Sequence, residues 1–283
     1  MTVDGAPPDP RGHDAPHAGP ALATHPGTTP AGRRAGAAAS CGGEHRAMVT
    51  LASLTMAGCA RYPGAAGHLI RTAHIAACLA DLMALDATLQ QRIRLVTPVH
   101  DVGKLAIPDE ILLKPGRLAP DEWRTMERHT EIGAEALASG SHELLQFAAM
   151  IARHHHERFD GSGYPARLAG HGIPLAARVV AVADAFDAMT ETRCYRPRMT
   201  DDDACSIIAG GSGTHFDPEA VRAFLDGFAQ VRRARATADA LLARGSDTQA
   251  VSDFYRLAPQ DFRLAARVAS RLAQHALRLS VPA

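Results

Sequence analysis

Apolar residues recur every three or four positions along most of the chain, which is the spacing of one face of a helix. This spacing predicts helices at about 69–83, 93–100 and 144–155. An apolar stretch from Leu175 to Met189 and the segment 221–228 predict two more. No stretch shows the strict alternation of a half-buried β-strand. The pattern therefore predicts an all-α fold.

The sequence Pro-Asp-Glu at 120–122 predicts the start of another helix. Proline fits the first helical position, and acidic residues complement the positive end of the helix dipole. This helix is expected to carry Trp123, Met126 and His129. A glycine-rich loop is expected at 158–173, between the predicted helix that ends near 155 and the one that begins at Leu175.

The two ends of the chain differ from its middle. Residues 1–44 are rich in Ala, Gly, Pro and Thr and show no sustained apolar period, which predicts a disordered low-complexity tail. Such a segment cannot bury enough surface to offset the entropy lost on ordering. Residues 45–230 are predicted to form the main domain. Residues 231–283 have helical spacing without recognisable chemistry, which predicts a C-terminal helical extension, a helix pair on the core or on a second subunit.

The amino-acid composition narrows the classes of partner that the protein is expected to bind. Thirty basic residues balance thirty acidic ones among 283, so no overall field favours a nucleic acid polymer or a membrane as a partner. The five cysteines show no CxxC spacing, which favours reduced thiols over a disulfide framework. No apolar run approaches the ~18 residues that a membrane span needs. A cytoplasmic protein is expected.

Seven side chains that could bind metal are scattered between residues 68 and 184. No cysteine is among them, which points to a hydrolytic centre rather than to a structural zinc site. A His-Asp doublet taken alone is more often a surface cap or a hydrogen-bonded pair. The seven candidates are His68, His100, Asp101, His129, His155, His156 and Asp184.

Two of these positions carry a geometric constraint. Adjacent helix residues point about 100° apart, so His155 and His156 can reach one cluster only at a helix end. His154 is expected to be a bystander. Asp184 lies in the middle of an apolar helix, where a buried carboxylate needs a metal or an arginine as its partner. Asp187 is the competing carboxylate.

The candidates lie within an ordered series of motifs between Ala47 and Phe228. The motifs are His-Asp-Val-Gly-Lys at 100–104, Ile-Pro-Asp at 107–109, Lys-Pro-Gly at 114–116, His-His-Glu at 155–157, Asp-Gly-Ser-Gly-Tyr-Pro at 160–165, Ala-Asp-Ala-Phe-Asp-Ala at 183–188 and Ser-Gly-Thr-His-Phe-Asp-Pro at 212–218. In this order they resemble the HD-GYP domain, a branch of the HD hydrolases. The resemblance implies an HD-type helical bundle with a metal site at helix ends and a Gly-rich GYP loop.

The resemblance also implies an activity. HD-GYP domains hydrolyse cyclic di-GMP, a bacterial second messenger, to the linear dinucleotide and in some members to GMP. They use two or three iron or manganese ions, and a metal-bridging hydroxide would attack the phosphodiester. Carried over by position, one metal would be held by His68, His100, Asp101 and Asp184, and the other by Asp101, His129, His155 and His156.

Further roles follow from the same resemblance. Asp101 and Lys104 would be catalytic, with Lys104 touching the scissile phosphate or the bridging oxygen. The residues implied to bind substrate are Gly163, Tyr164, Pro165, Arg193 and Arg196, of which the two arginines would touch substrate phosphates.

One departure from the family pattern changes the expected metal count. Family members with three metals usually carry a glutamate four residues before the first histidine, whereas this chain has Gly64 four residues before His68. Glycine has no side chain to coordinate a metal, so two metals are predicted. Cys194 also replaces a proline that is common between the arginine and the tyrosine.

Two other functions are compatible with the same residues. The domain could be catalytically inactive and act as a cyclic di-GMP sensor or a protein-interaction module in cyclic di-GMP signalling. It could also hydrolyse another cyclic dinucleotide or a nucleoside phosphate, although the GYP loop argues against the nucleoside phosphate. The sequence leaves both a monomer and a homodimer open.

Overall fold

The computed structural model describes residues 30–61, 64–191 and 198–279, with side chains described from Gly42 to Ala276 within these ranges. Contacts divide the described residues into two units, with the boundary between residues 39 and 40. All candidate residues that the structure describes lie in the second unit.

The described ranges contain helices and no β-strand; Ser212 and Phe216 form an isolated bridge. The predicted all-α fold is confirmed. The α-helices are α1 Pro30–Cys59, α2 Ala65–Leu82, α3 Ala87–Val96, α4 Asp109–Leu112, α5 Pro120–Glu127, α6 His129–Ala138, α7 Glu143–His154, α8 Leu175–Thr190, α9 Asp201–Gly210, α10 Pro218–Asp226, α11 Phe228–Leu242, α12 Asp247–Tyr255 and α13 Pro259–Leu279. Short 3-10 turns span Thr97–Val99, Val102–Ala106 and Gly170–Gly172.

Helix α2 is the centre of the fold. It packs against α3, α8 and α11 and contacts α10 and α12 as well. Ile70, Ile75 and Leu79 are completely buried, as expected for a helix that is covered on several sides. This packing places His68, in the first turns of α2, in the interior of the bundle.

The C-terminal segment contributes to the same core. Val231 on α11 and Phe254 on α12 are buried in the main apolar cluster. The segment contains three helices rather than the predicted pair, and the first of them begins at Phe228. It therefore packs on the bundle itself, which is one of the two arrangements expected from its pattern.

The start of the chain also differs from the expectation. Helix α1 begins at Pro30, so residues 30–44 are helical although a disordered tail is predicted there. The run Ala35–Ala39 is alanine-rich, and alanine has the highest helix propensity of all residues. Residues 1–29 lie outside the described residues.

Two predicted helices end earlier than expected. Helix α3 ends at Val96, because Pro98 has no backbone N–H to continue the helical hydrogen bonds, and a 3-10 turn follows. The helix predicted to carry His129 is divided into α5 and α6 around Arg128. The His129 ring donates from Nδ1 to the Met126 carbonyl at 2.6 Å, satisfying a carbonyl at the end of α5.

None of the helices in the described ranges combines the length and apolar character that crossing a membrane requires. Cys59, Cys78 and Cys205 are free thiols.

Candidate active site

The structure brings the seven candidate residues together at the ends and edges of several elements. His68 lies on α2 and Asp184 on α8, while His129 begins α6. His100 and Asp101 lie between two consecutive 3-10 turns. His155 is the C-cap of α7 and His156 follows it. Both histidines reach the cluster because it lies beyond the end of α7, as the sequence requires.

Asp101 lies at the centre of this cluster. Its Oδ1 is 3.2 Å from His129 Nε2 and 3.7 Å from His155 Nε2, and its Oδ2 is 3.5 Å from His100 Nε2. The Lys104 ammonium also contacts Oδ2. Burial opposes ionisation, but the positive charge of Lys104 and the surrounding imidazoles outweigh it and hold the pKa of Asp101 well below its usual range. Asp101 is therefore an anion that two groups of candidate ligands share.

Two groups of side chains have metal-ligand spacing around Asp101. His68 and His100 form one group with it, in which all ligand atoms lie within 4.8 Å of one another. Asp184 borders this group, because its Oδ1 is 3.1 Å from His68 Nε2 and 3.7 Å from His100 Nε2. The other group consists of Asp101, His129, His155 and His156.

Several atoms in the cluster are buried without a hydrogen bond to any part of the chain that the structure describes. They are His100 Nε2, His129 Nε2, His155 Nε2 and Asp101 Oδ1. Buried polar atoms are normally satisfied, because an unpaired one keeps its full desolvation penalty. Four such atoms around one small volume are what a metal site requires, since the bound ion would replace the missing partners.

The backbone fixes the orientation of the same imidazoles. Each donates from Nδ1 to a carbonyl oxygen at 2.6 to 2.9 Å, which leaves the lone pair on Nε2 free to coordinate. The acceptors are Thr97 for His100, Met126 for His129 and Ala152 for His155.

Burial and electrostatics favour neutral imidazoles at His155 and His156, in the group that also contains His129. Burial, together with repulsion from His100 and His129, lowers the pKa of His155 to about 4. Burial and neighbouring imidazoles also hold the pKa of His156 well below its usual value. Because only neutral histidine coordinates metal, both side chains are ready to bind.

His68 has the opposite environment. Burial lowers its pKa, but Asp184 and Asp187 on either side outweigh this effect and raise it to about 10. The two carboxylates therefore attract positive charge to this end of the cluster, and a metal ion bound there would replace the proton on His68 Nε2.

Asp187 lies behind His68 rather than in the cluster. Its Oδ2 accepts a hydrogen bond from His68 Nδ1 at 2.8 Å, and its Oδ1 accepts one from Arg71 Nε at 2.6 Å. Arg71 also donates from Nη2 to Glu191 at 2.6 Å. His68, Asp187 and Glu191 have metal-ligand spacing, but the guanidinium already balances both carboxylates. Asp184, on the Nε2 side of His68, is therefore better placed as a ligand than Asp187.

We expect Asp187→Asn to weaken metal binding by about 10- to 100-fold, the usual effect of losing a carboxylate that orients a ligating histidine. The substitution keeps the size of the side chain and removes the charge that aligns His68. Calorimetric titration of the metal-free protein with Mn²⁺ measures the effect. Asp239→Asn is the matched control, because Asp239 faces the same Arg71 at 3.7 Å and is mostly exposed. Equal affinities in the two variants would contradict this role for Asp187.

The glycine-rich loop is tied to the cluster through Glu157. This buried carboxylate accepts hydrogen bonds from the backbone N–H groups of Ala166 at 2.8 Å and Leu168 at 3.1 Å. His154 faces Glu157 at 3.6 Å and stays outside the cluster, as predicted for a bystander. Glu157 belongs to the His-His-Glu motif at 155–157, but the motif alone does not indicate its role in the loop. An acid directly after two candidate ligands was the signal available for it.

The same loop carries Gly163 and Tyr164. A Cβ on Gly163 would lie 2.3 Å from the backbone nitrogen of Arg158, so the loop closes on itself only with glycine there. The Tyr164 ring lies 5.0 Å from the His156 ring, measured between centroids. Burial raises the pKa of Tyr164, so its hydroxyl remains protonated. Pro165 follows in the loop, while Arg193, Cys194 and Arg196 lie outside the described residues.

This chain is similar to an HD domain family and to named phosphodiesterases. The HD domain family matches residues 53–220. The cyclic di-GMP phosphodiesterase response regulator RpfG of Xanthomonas campestris is 44% identical over 190 residues, which cover 67% of this chain and 50% of that protein. The 3'3'-cGAMP-specific phosphodiesterase 2 of Vibrio cholerae is 43% identical over 159 residues, which cover 56% of this chain and 30% of that protein. The chain thus spans half or less of the length of these two relatives.

A solved structure shows the same fold. The crystal structure of a cyclic GMP-AMP-specific phosphodiesterase of Vibrio cholerae matches with a TM-score of 0.54 and 15% identity, over 83% of this chain and 60% of that one. At this identity the likeness concerns the fold alone.

Proposed function

Because this chain belongs to the HD domain family, we propose that its cluster hydrolyses a phosphodiester bond of a cyclic dinucleotide, with cyclic di-GMP as the substrate. The observation that carries the proposal is the set of buried, unpaired imidazole nitrogens around Asp101. The motif resemblance to HD-GYP domains and the names of the relatives support the substrate class.

The proposal includes two divalent ions, iron or manganese. His68, His100, Asp101 and Asp184 would hold one, and Asp101, His129, His155 and His156 the other. A bound pair would activate water near neutral pH and stabilise charge on the phosphoryl group. Two features support two ions rather than three. Gly64 offers no side chain, and the nearby Glu191 already pairs with Arg71.

The residues around the cluster suit an anionic substrate. The proposed ligand set contains only two carboxylates, so the loaded site would keep a positive charge that attracts a phosphodiester. Lys104 would hold a further positive charge beside Asp101, where it could stabilise the oxygen atoms of the transferring phosphate. Tyr164 would supply a protonated hydroxyl and a ring face next to His156.

Several finer predictions belong to the same proposal. Hydrolysis would yield the linear dinucleotide or GMP. The location would be the cytoplasm, where cyclic di-GMP acts as a second messenger. Gly163, Tyr164, Pro165, Arg193 and Arg196 would contact the substrate. Protein partners in cyclic di-GMP signalling, and a homodimer, remain predictions from the sequence.

A substrate panel tests this function. Protein purified without oxygen and loaded with Mn²⁺ or Fe²⁺ is incubated with cyclic di-GMP, cyclic GMP-AMP and cyclic di-AMP, and the products are separated by chromatography. We expect cyclic di-GMP to be hydrolysed fastest and metal removal to abolish turnover. Binding without hydrolysis would identify a sensor instead, and faster hydrolysis of cyclic GMP-AMP would reassign the substrate.

A further inference from the structure

Trp123 lies on α5, beside the cluster, and no motif or candidate role assigns it a function. It is the single tryptophan of the chain, and 49% of it is exposed. An exposed apolar residue alone is ordinary on a protein surface. Its position relative to the proposed metal ligands is what requires an explanation.

A series of rings connects the cluster to Trp123. The Tyr164 ring lies 5.0 Å from the ring of His156 and is tilted by 37° to it. The Trp123 ring lies 6.5 Å from that of Tyr164 at an angle of 84°. Tyr164 and Trp123 therefore form an aromatic corner that leads outward from a proposed metal ligand.

The proposed ligand next to this corner is partly exposed. Among the proposed ligands, His68, His100, Asp101, His129 and His155 are buried, whereas His156 and Asp184 are partly exposed. A phosphodiester bound at His156 would have the Tyr164 ring beside it, and the nucleosides attached to it would extend toward the surface. Trp123 is the next ring on this path.

The polar edge of the indole is held in place by a hydrogen bond. Its Nε1–H donates to Glu127 Oε1 at 2.7 Å, one turn further along α5. The start of α5 is fixed because Glu122 accepts from the Ala119 N–H at 2.7 Å and pairs with Lys114 at 2.6 Å. A ring that is anchored by its polar edge is preorganised to stack, because little freedom is lost on binding.

We propose that Trp123 is the stacking platform for one purine base of the cyclic dinucleotide. The inference rests on the proposed function and adds a binding residue to the same site. Purine bases stack on aromatic side chains with a gain of about 1–3 kcal/mol per base, which corresponds to about 5- to 150-fold in affinity. Trp123 would thus position the substrate by its base while the cluster binds the phosphate.

Intrinsic fluorescence reports on this contact directly, because Trp123 is the only tryptophan in the chain. On rapid mixing of the Mn²⁺-loaded protein with cyclic di-GMP, we expect the emission to be quenched before product forms, with a midpoint that follows KM. An emission that is unchanged at saturating substrate would overturn the platform.

Steady-state kinetics of three variants separates stacking from simple packing. We expect Trp123→Leu to raise KM by about tenfold, and by more than it lowers kcat. Trp123→Phe, which keeps an aromatic face, should recover most of the affinity. Ile207→Ala on α9 is the control, because Ile207 is exposed to the same degree, 48%, and is not a proposed ligand. Thermal melting of each variant checks the fold.

The outcomes separate this proposal from the proposed function. Normal hydrolysis with equal KM values for Trp123→Leu, Trp123→Phe and Ile207→Ala overturns the platform and leaves the activity standing. Quenching without hydrolysis supports the platform and identifies a sensor. A wild-type protein that neither binds nor hydrolyses any cyclic dinucleotide overturns both.

Discussion

Asp101→Asn is expected to lower the proposed hydrolysis of cyclic di-GMP by about 10³-fold or more and to remove most of the bound metal. Losing one preorganised electrostatic group at a reacting centre typically costs 10²–10³-fold. Removing the Asp101 carboxylate should lower turnover by at least this factor, because its two oxygens face both groups of imidazoles. Metal content by elemental analysis, together with turnover under saturating Mn²⁺, measures the result.

The fold should survive this substitution. Asparagine has the same shape, and Lys104, the charged partner of Asp101, is partly exposed and can be solvated. Asp217→Asn is the matched control, because Asp217 is also buried and pairs with Arg178 away from the cluster. Its asparagine variant should lose stability but keep its metal. Full metal content and turnover in Asp101→Asn would refute the shared-ligand arrangement and, with it, the proposed hydrolytic site.

Gly103→Ala is expected to destabilise the protein by about 3 kcal/mol or more and to abolish activity. A Cβ at this position would lie 1.9 Å from the carbonyl oxygen of His129 and 2.7 Å from the nitrogen of Gly133. Both are backbone atoms of α6, so no side chain can move aside, and overpacking typically costs about 1–3 kcal/mol and occasionally more. Either α6 or the 3-10 turn Val102–Ala106 would have to shift.

The shift would also disrupt the cluster, because Asp101 precedes this turn and His129 begins α6. Thermal melting by circular dichroism should show a fall of about 10 °C. Gly210→Ala is the control, because a Cβ there meets no atom within 4 Å and its backbone has no positive φ. It should leave the melting temperature nearly unchanged. An equally small effect for Gly103→Ala would mean that the two backbones are not in contact.

The sequence predicts a helix well where the apolar spacing is regular and no side chain bonds to the backbone carbonyls in a way that ends the helix. Helices α2, α7 and α8 follow the predicted segments closely. The prediction of a single helix carrying Trp123, Met126 and His129 was wrong, because the chain breaks between α5 and α6. There the His129 and Thr130 side chains bond to carbonyls of the preceding helix, which periodicity does not register.

In the candidate site, too, some features could be predicted from the sequence and others depend on tertiary contacts. Seven candidate ligands could be named from residue types and motif order, since a motif keeps chemically similar groups at fixed sequence spacing. The roles of Asp187 and Arg71 could not be assigned in this way. His68 and Asp187 are 119 residues apart, and only the packing of α2 on α8 brings their side chains within 2.8 Å.

The sequence by itself determined the helical class, the family motifs and the identity of the candidate ligands. These features depend on local spacing and residue type, which are present in the linear order. Only the tertiary structure decided that Asp101 faces two groups of imidazoles, that Asp187 lies behind His68 and that Trp123 stands next to Tyr164. Each of these contacts joins elements that are distant in the chain, so it depends on how the helices pack together rather than on any local pattern.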